Sequence, residues 1–322
     1  MIFRPATRHV EDDARLPRAV CGGAMHRPWV AIQRNPRSGS GPRSVILREL
    51  IGHLRSVGLR PRLFSRRERL QQYLTDPGRR NGLVCIVAAG GDGTVGDVIN
   101  RFPGVPVAIL PLGTENLLAR YLGITRSGRF VAEMIAAGKT RHFDACLAGE
   151  RRFVLMASCG FDADVLQRLH ARRSGHITKW SYLQPIGESL RKYEYPEFRM
   201  YVDDAQTPLT GRLAVIVNLP VYALGLPVAR SARGDDGLLD VRIFQRHSAF
   251  QMIRYFYMVA RGRHENLSDV ICVQARRIRI ESDRPVPVQV DGDPAGSTPV
   301  EIGIVPAAVE LLTPANHGSN LC

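Results

Sequence analysis

The chain has 322 residues, of which 44% are hydrophobic, and this length is sufficient for two domains with cores of their own. A net charge of +14 favours an anionic partner, such as a membrane surface or a nucleic acid. The apolar runs are too short for a transmembrane helix, and arginines scattered along the chain argue against a specific nucleic-acid-binding stripe.

The termini and cysteines bound the organisation of the chain. Residues 1–25 are arginine-rich without an apolar block, so they are predicted to be a flexible basic tail rather than a signal peptide. The cysteines show no metal-binding spacing, which suggests a reducing, cytoplasmic setting, and Cys85 and Cys272 are expected to be buried in strands.

The first half of the chain alternates strand patterns with helix patterns. Strands are predicted at 29–33, 59–65, 83–88 and 105–110, and helices at 44–57, 68–74, 95–100, 115–122 and 129–137. This alternation indicates a parallel sheet with helices on both faces, whose ligands bind at the carboxyl ends of the strands. Glycine-bearing loops that begin at Asn35, Gly90 and Pro111 follow three of these strands, so we expect them to converge.

Beyond residue 140 short β-type runs dominate, which predicts an antiparallel second domain. These runs cover 153–158, 198–202, 213–218, 239–244, 278–281 and 286–290, with helices at 178–193 and 248–263. We therefore expect an α/β domain over 26–142, a β-rich domain over 143–315 whose last segment could return to the first, and a tail over 316–322.

The segment 249–260 is apolar nearly all round. This pattern favours a buried core helix. The alternative is a helix that lines an acyl-chain groove or touches a membrane.

The most informative segment runs from Ala88 to Asp97, where a buried strand leads through three glycines into a helix. Glycines permit a sharp turn and close approach of a ligand, and a helix start supplies free N–H groups, which together suit a phosphate. The spacing of Gly91, Gly93 and Gly96 also satisfies a dinucleotide-binding fingerprint, but the charge of Asp92 would repel a bare pyrophosphate. A carboxylate in that turn is better explained by a site that includes Mg²⁺.

Five short motifs follow one another along the chain: Gly90-Gly91-Asp92-Gly93-Thr94, Pro111-Leu112-Gly113-Thr114-Glu115-Asn116, Gly160-Phe161-Asp162-Ala163, Asp235-Asp236-Gly237-Leu238-Leu239-Asp240-Val241 and Val290-Asp291-Gly292-Asp293. Together they resemble the diacylglycerol kinase catalytic-domain family of bacterial lipid kinases, which is related to sphingosine kinases. The first motif is shared with NAD kinases and phosphofructokinases, whereas the last two favour the lipid-kinase branch.

The resemblance implies a role for each matching residue. The ATP phosphates would be held by Gly90, Gly91, Asp92, Gly93, Thr94, Val95 and Gly96, with Ser65, Thr114 and Asn116 also at the nucleotide. Asp236, Leu238 and the Arg233 carbonyl match a structural Mg²⁺ site. Asp293 matches the proton acceptor, and Asp92 would act through a catalytic Mg²⁺.

The chain departs from the family pattern at three places. Gly96-Asp97 stands where the family commonly has Asn-Glu, Asn116-Leu117 where it has Asn-Asp, and Asp293 where it usually has Glu. Aspartate is one methylene shorter than glutamate, so the departures bear on the acceptor and on the rate.

The resemblance implies an ATP- and Mg²⁺-dependent enzyme that phosphorylates the hydroxyl of a diacylglycerol-like lipid. Such an enzyme would be cytoplasmic and would bind peripherally to an anionic membrane surface. An NAD kinase-like enzyme with a soluble acceptor and a catalytically impaired nucleotide-binding regulator are the alternatives. Pairing of exposed edge strands leaves a homodimer open.

Overall fold

The computed structural model describes residues 27–35, 43–172, 179–222 and 225–315. The segments that the sequence predicts to be tails, 1–25 and 316–322, lie outside these ranges, and so does the glycine-bearing part of the loop that begins at Asn35.

The N-terminal half contains four parallel strands in the order β2-β1-β3-β4. The strands are β1 (Trp29–Arg34), β2 (Arg60–Phe64), β3 (Leu83–Gly90) and β4 (Val107–Pro111). The helices are α1 (Arg43–Ser56), α2 (Arg67–Leu74), α3 (Pro77–Arg80), α4 (Asp92–Arg101), α5 (Leu117–Tyr121) and α6 (Gly128–Ala137). Residues of β3 and β4 are almost completely buried, as expected for strands covered on both faces.

The C-terminal half is dominated by antiparallel pairing. Its strands are β5 (Thr140–Ala148), β6 (Arg151–Phe153), β7 (Met156–Gly160), β8 (Phe198–Val202), β9 (Leu209–Gly211), β10 (Leu213–Val217), β11 (Leu239–Phe244), β12 (Val270–Ala275), β13 (Arg277–Glu281), β14 (Pro287–Val290), β15 (Asp293–Ser297) and β16 (Val300–Leu312). Its helices are α7 (Phe161–Ala171), α8 (Leu183–Lys192) and α9 (Ala249–Ala260). Six of the strands form one sheet in the order β12-β11-β10-β7-β14-β15.

Strand β16 joins the two halves of the molecule. It pairs in parallel with β4 at Leu311 and Val107, and antiparallel with β5 and β13. The sheet of the N-terminal half therefore continues through β16 into β13, β8 and β9. The fold class predicted from the sequence is confirmed, and the last strand lies beside the first domain.

Several predicted elements have other bounds in the structure. The predicted strand 153–158 is divided between β6 and β7, because the amides of Val154, Leu155 and Met156 donate to the Asp291 carboxylate. Helix α4 begins at Asp92 rather than near Val95, so the glycine-rich turn forms its first turn. Strands β5, β9, β15 and β16 and helices α3 and α7 had no predicted counterpart.

Two expectations about burial are wrong. Helix α9 buries Met252, Tyr255 and Val259 but exposes much of its opposite face, so it is not a core helix. Cys272 is exposed, because β12 is the edge strand of its sheet and alternates exposed with partly buried positions, whereas Cys85 is buried in β3. In the described ranges we find no helix with the length and hydropathy needed to span a bilayer.

Candidate functional site

The turn between β3 and α4 leaves an open helix N-terminus. Gly91 caps α4 with extended backbone, and its carbonyl accepts hydrogen bonds from the amides of Thr94 (2.8 Å) and Val95 (3.2 Å). A Cβ at Gly93 or Gly96 would have no heavy atom within 4 Å, so this face of the helix is free of side chains. The N-terminal end of α4 is therefore accessible to a large anion and carries the positive end of the helix dipole.

The turn after β4 packs directly against the turn after β3. A Cβ at Gly113 would lie 2.5 Å from the Cα of Gly91, so the two backbones touch at a point where only glycine fits. Both oxygens of the Asp92 carboxylate accept backbone amides at the start of α5, from Leu117 (3.0 Å) and Leu118 (3.1 Å). The first and second motifs are thus joined into one surface.

Asn116 holds the second turn in shape. Its backbone is left-handed (φ 49°), a conformation that asparagine tolerates better than most residues. Its side-chain amide accepts from the Gly113 amide (2.8 Å) and donates to the Gly113 carbonyl (3.0 Å). Asn116 thereby fixes the turn on which exposed Thr114 stands.

The start of the third loop reaches the same place. The backbone amide of Asn35 donates to the Ala89 carbonyl (3.2 Å), and its side-chain amide donates to the hydroxyl of buried Thr94 (3.3 Å). The strand ends at Asn35, Gly90 and Pro111 therefore meet at one edge of the sheet, as the alternating pattern predicts.

A cleft of about 820 Å³ opens beside the start of α4. Both proposed catalytic carboxylates, Asp92 and Asp293, line it, although 201 positions separate them in the sequence. The remaining lining residues are Arg67, Gln71, Gly93, Gly96, Asp97, Asn100, Arg101, Glu150, Arg151, Arg152 and Asp291. This mixture of arginines and carboxylates suits a ligand that carries both phosphate and metal.

Asp293 begins β15 with a partly exposed carboxylate. One oxygen accepts from the Arg151 guanidinium (2.8 Å), and the other lies 3.7 Å from Nε2 of His170. Nε2 of His170 is also 3.1 Å from the Gly292 carbonyl. The carboxylate is therefore oriented by an arginine while its side chain remains 41% exposed to the cleft.

Asp291 is a partly buried carboxylate that also lines the cleft. It accepts the amides of Val154 (3.0 Å), Leu155 (2.9 Å) and Met156 (3.0 Å) from a backbone with φ 47°. Burial, together with the charge of Asp92, raises the pKa of Asp291 to about 6 despite these bonds. Burial likewise raises the pKa of Asp92 against the backbone hydrogen bonds that lower it.

Asn100 of α4 connects the cleft to β6. Its side chain donates to the carbonyls of Gly96 and Arg152 (both 2.8 Å) and accepts the Arg152 amide (2.8 Å). These reciprocal hydrogen bonds hold α4 against β6. Strand β6 also carries Arg151, the partner of Asp293.

The predicted structural metal residues lie on the loop before β11. Asp236 accepts the Leu238 amide (3.0 Å), and burial together with the charges of Asp240 and Asp144 raises its pKa. The carbonyls of Arg233 and Leu238 on this loop are oxygen donors of the kind that Mg²⁺ prefers. No group of three or more acidic, histidine or cysteine side chains suited to a metal occurs among the described residues, so carbonyls and water would complete the coordination.

Asp144 of β5 anchors this loop from beneath. Its carboxylate accepts the amides of Gly237 and Ala307 (both 2.8 Å), and its own amide donates to the Gly234 carbonyl (2.7 Å). The loop is therefore tied to the strand that follows the N-terminal domain.

Ser65 is not brought into the cleft with Asp92. It is exposed at the end of β2 and lines a separate opening with Arg66, Arg69 and Tyr73. That opening lies at the carboxyl edge of the parallel sheet, and the role of Ser65 stays a prediction.

Sequence reasoning missed Arg151, Asn100, Asp291 and Asp144 as parts of the site. Asp291 stood inside a quoted motif, so its acidic side chain was a usable signal. Arg151, Asn100 and Asp144 act through contacts with residues 52 to 163 positions away, which no local pattern reveals.

Two family models match the chain. The diacylglycerol kinase catalytic domain matches residues 30–148, and the YegS C-terminal NAD kinase beta sandwich-like domain matches residues 156–313. Together the two matches span both halves of the fold.

Similar proteins carry related names. The chain is 31% identical over 246 residues to a diacylglycerol kinase of Mycobacterium tuberculosis, covering 74% of this chain and 79% of that protein. It is 24% identical to a probable lipid kinase YegS-like of Shewanella frigidimarina, covering 72% and 77%. A crystal structure of a putative diacylglycerol kinase from Bacillus anthracis superimposes with a TM-score of 0.71 at 20% identity, covering 91% of this chain and 98% of that one.

Proposed function

The chain belongs to the diacylglycerol kinase family, and from that premise we propose that it transfers the γ-phosphoryl group of ATP to a lipid hydroxyl of the diacylglycerol class. One observation carries the proposal: Asp92 at the glycine-rich helix start and Asp293 of β15 line a single cleft. A nucleotide held at the first could therefore meet an acceptor hydroxyl held at the second.

The α4 N-terminus is the proposed phosphate site. Its exposed glycines allow phosphate oxygens to approach the backbone, and the Gly91–Gly113 contact presents the Thr114 turn on the same side. Arg67, Arg101 and Arg152 add positive charge along the cleft. Phosphoryl transfer depends chiefly on such alignment and charge stabilisation.

Asp92 and Asp291 fit a proposed catalytic Mg²⁺, because each is a desolvated carboxylate and the charge of Asp92 raises the pKa of Asp291. A bound Mg²⁺ would neutralise this repulsion and the charge of the phosphates. Asp236 would hold a structural Mg²⁺ with the carbonyls of Arg233 and Leu238.

Asp293 is the proposed general base. As the acceptor hydroxyl oxygen bonds to the γ-phosphorus, the bond to the bridging oxygen breaks, ADP leaves, and the hydroxyl proton passes to the Asp293 carboxylate. Arg151 orients that carboxylate, and general-base catalysis of this kind contributes about 10²–10⁴-fold to the rate.

The test is transfer from labelled ATP with Mg²⁺ to diacylglycerol vesicles, with NAD⁺ as a soluble acceptor in a parallel reaction. We expect phosphorylated lipid and no labelled NADP⁺. A broad lipid panel without any labelled product would refute the lipid-kinase proposal, and labelled NADP⁺ would establish the NAD kinase-like alternative.

Matched variants locate the site. Asp92→Asn is expected to abolish transfer, whereas Asp204→Asn, an exposed carboxylate outside the cleft, leaves it unchanged. Asparagine can accept only one of the two α5 amides, so unfolding of Asp92→Asn is measured in parallel, with an expected loss of about 1–3 kcal/mol. Tight ATP binding without transfer by the unmodified chain would favour the regulatory alternative.

A further inference from the structure

Helix α9 has two apolar faces, and within the described part of the chain only one of them is covered. Met252, Tyr255 and Val259 pack into the core, where the Tyr255 ring lies 4.8 Å from that of Phe244. The opposite face consists of Phe250, Ile253, Phe256 and Tyr257, which we call the α9 patch; Phe250 is 72% exposed and the others more than half exposed.

Exposed hydrophobic side chains are concentrated in the α9 patch. Nine large hydrophobic side chains are exposed in the described part of the chain; four of them lie in these eight consecutive positions, and the aromatic ones are all in the patch. Residues three and four apart share one side of a helix, so Phe250, Ile253 and Phe256–Tyr257 form a continuous stripe. Isolated exposed apolar residues need no explanation, but a contiguous aromatic stripe marks an interaction surface.

The charges beside the patch are positive. No acidic residue occurs between positions 249 and 263, while Arg261 and Arg263 follow the helix as exposed side chains. The Arg261 guanidinium lies 5.3 Å from the Tyr257 ring centre and donates to its hydroxyl (2.9 Å). Arg254 lies within the helix but forms an ion pair with Asp269 (2.9 Å), so its charge is already neutralised.

The positive charges beside the α9 patch indicate which kind of partner binds there. In a twofold dimer through the patch the same surface meets itself, so arginines near the contact would approach arginines. An anionic lipid surface instead supplies phosphates to the arginines and apolar depth to the rings, which is the arrangement of interfacial helices.

We propose that the α9 patch docks the protein on an anionic bilayer, with Phe250, Ile253 and Phe256 inserted at the acyl boundary and Arg261 and Arg263 at the headgroup phosphates. The inference deepens the proposed function, since a lipid acceptor requires a membrane-contacting surface. Binding to lipid is nevertheless measurable without any catalytic turnover.

The experiment is co-flotation of the full chain with two kinds of vesicle. One kind is pure phosphatidylcholine, and the other contains about 30% phosphatidylglycerol, which gives it an anionic surface. We compare the unmodified chain, Phe250→Ser/Phe256→Ser, Arg261→Gln/Arg263→Gln, and Val45→Ser as a control on α1 with 54% exposure. Transfer to a short-chain diacylglycerol dissolved as monomers is measured for each variant.

We expect binding to anionic vesicles that falls by about tenfold or more in the phenylalanine variant and by several-fold in the arginine variant, with the control unchanged. The phenylalanine variant should retain transfer to the monomeric substrate and lose transfer to vesicles. Equal binding of the phenylalanine variant and the control would overturn the proposal, as would a dimer that this variant dissociates without loss of vesicle binding. If neither the unmodified chain nor any variant phosphorylates monomeric or vesicle-bound diacylglycerol, the proposed function fails. The docking surface is still supported in that case if vesicle binding falls in the patch variants and not in the control.

Discussion

At the scale of single residues, the cleft is defined by carboxylates that differ in solvation. Asp291 and Asp92 are partly buried and accept three and two neighbouring backbone amides respectively, whereas Asp293 faces the cleft beside Arg151. Separate environments of this kind allow acidic groups of one type to take different roles. The exposed one is available to a substrate proton, and the desolvated pair is better suited to a cation.

The pKa of Asp291 leads to a prediction about stability. Because its folded pKa of about 6 lies above the ordinary value of 3.8, its contribution to the free energy of unfolding is present below about pH 4 and is lost as the pH rises through 6. Relative to Asp291→Asn, the unmodified chain without Mg²⁺ should therefore be more stable at pH 4 than at pH 7, by about 2 kcal/mol. Denaturant unfolding at both pH values measures this difference; a difference that grows with pH would contradict it.

Asp293 leads to a prediction about rate. Asp293→Ala should lower kcat by about 10²–10⁴-fold and change ATP affinity little, since in the proposed mechanism the side chain contacts the acceptor rather than the nucleotide. Asp293→Glu, which restores the residue common in the family, should retain most of the rate. Steady-state kinetics at varied ATP separates the two effects, and an equal loss of kcat and ATP affinity in Asp293→Ala would argue against its role as base.

At the scale of elements, the contact between the turns after β3 and β4 determines the shape of the proposed nucleotide site. Gly113→Ala should cost several kcal/mol and weaken ATP binding, because its Cβ would lie 2.5 Å from Gly91. Gly52→Ala is the matched control: its Cβ meets open space within α1, away from the cleft, so it should stabilise the protein by about 0.5–1 kcal/mol. Thermal unfolding and calorimetric ATP titration of both variants test this, and equal stability would refute the contact.

Most elements of the parallel half could be predicted from the sequence, because buried strands and amphipathic helices alternate there with clear periods. The strand bounds near Val154 could not be predicted, because its amide donates to the carboxylate of Asp291, 137 positions away, instead of to a neighbouring strand. The motif residues Asp92 and Asp293 were predictable from resemblance, whereas Arg151 and Asn100 acquire their roles only from tertiary contacts. Helix α9 was misjudged because composition alone does not show which apolar face has a partner.

At the scale of the whole molecule, β16 connects the two halves through a single sheet. Its pairing with β4, β5 and β13 places both halves in one hydrogen-bonded sheet. We therefore expect a single unfolding transition, in which backbone amides of β4 and β13 exchange with similar protection against hydrogen exchange. Two transitions, with β13 losing protection first, would show that the halves unfold independently.

The shared sheet also limits how the enzyme can move during a catalytic cycle. Strand β16 is hydrogen-bonded on both sides and therefore cannot act as a flexible hinge. We therefore expect no large opening motion between the two halves when a substrate enters. An acceptor would then have to enter the cleft without such an opening, and turnover would depend on rearrangements of side chains and loops rather than on a large movement of one half. Small-angle scattering with and without nucleotide should then give nearly superimposable profiles.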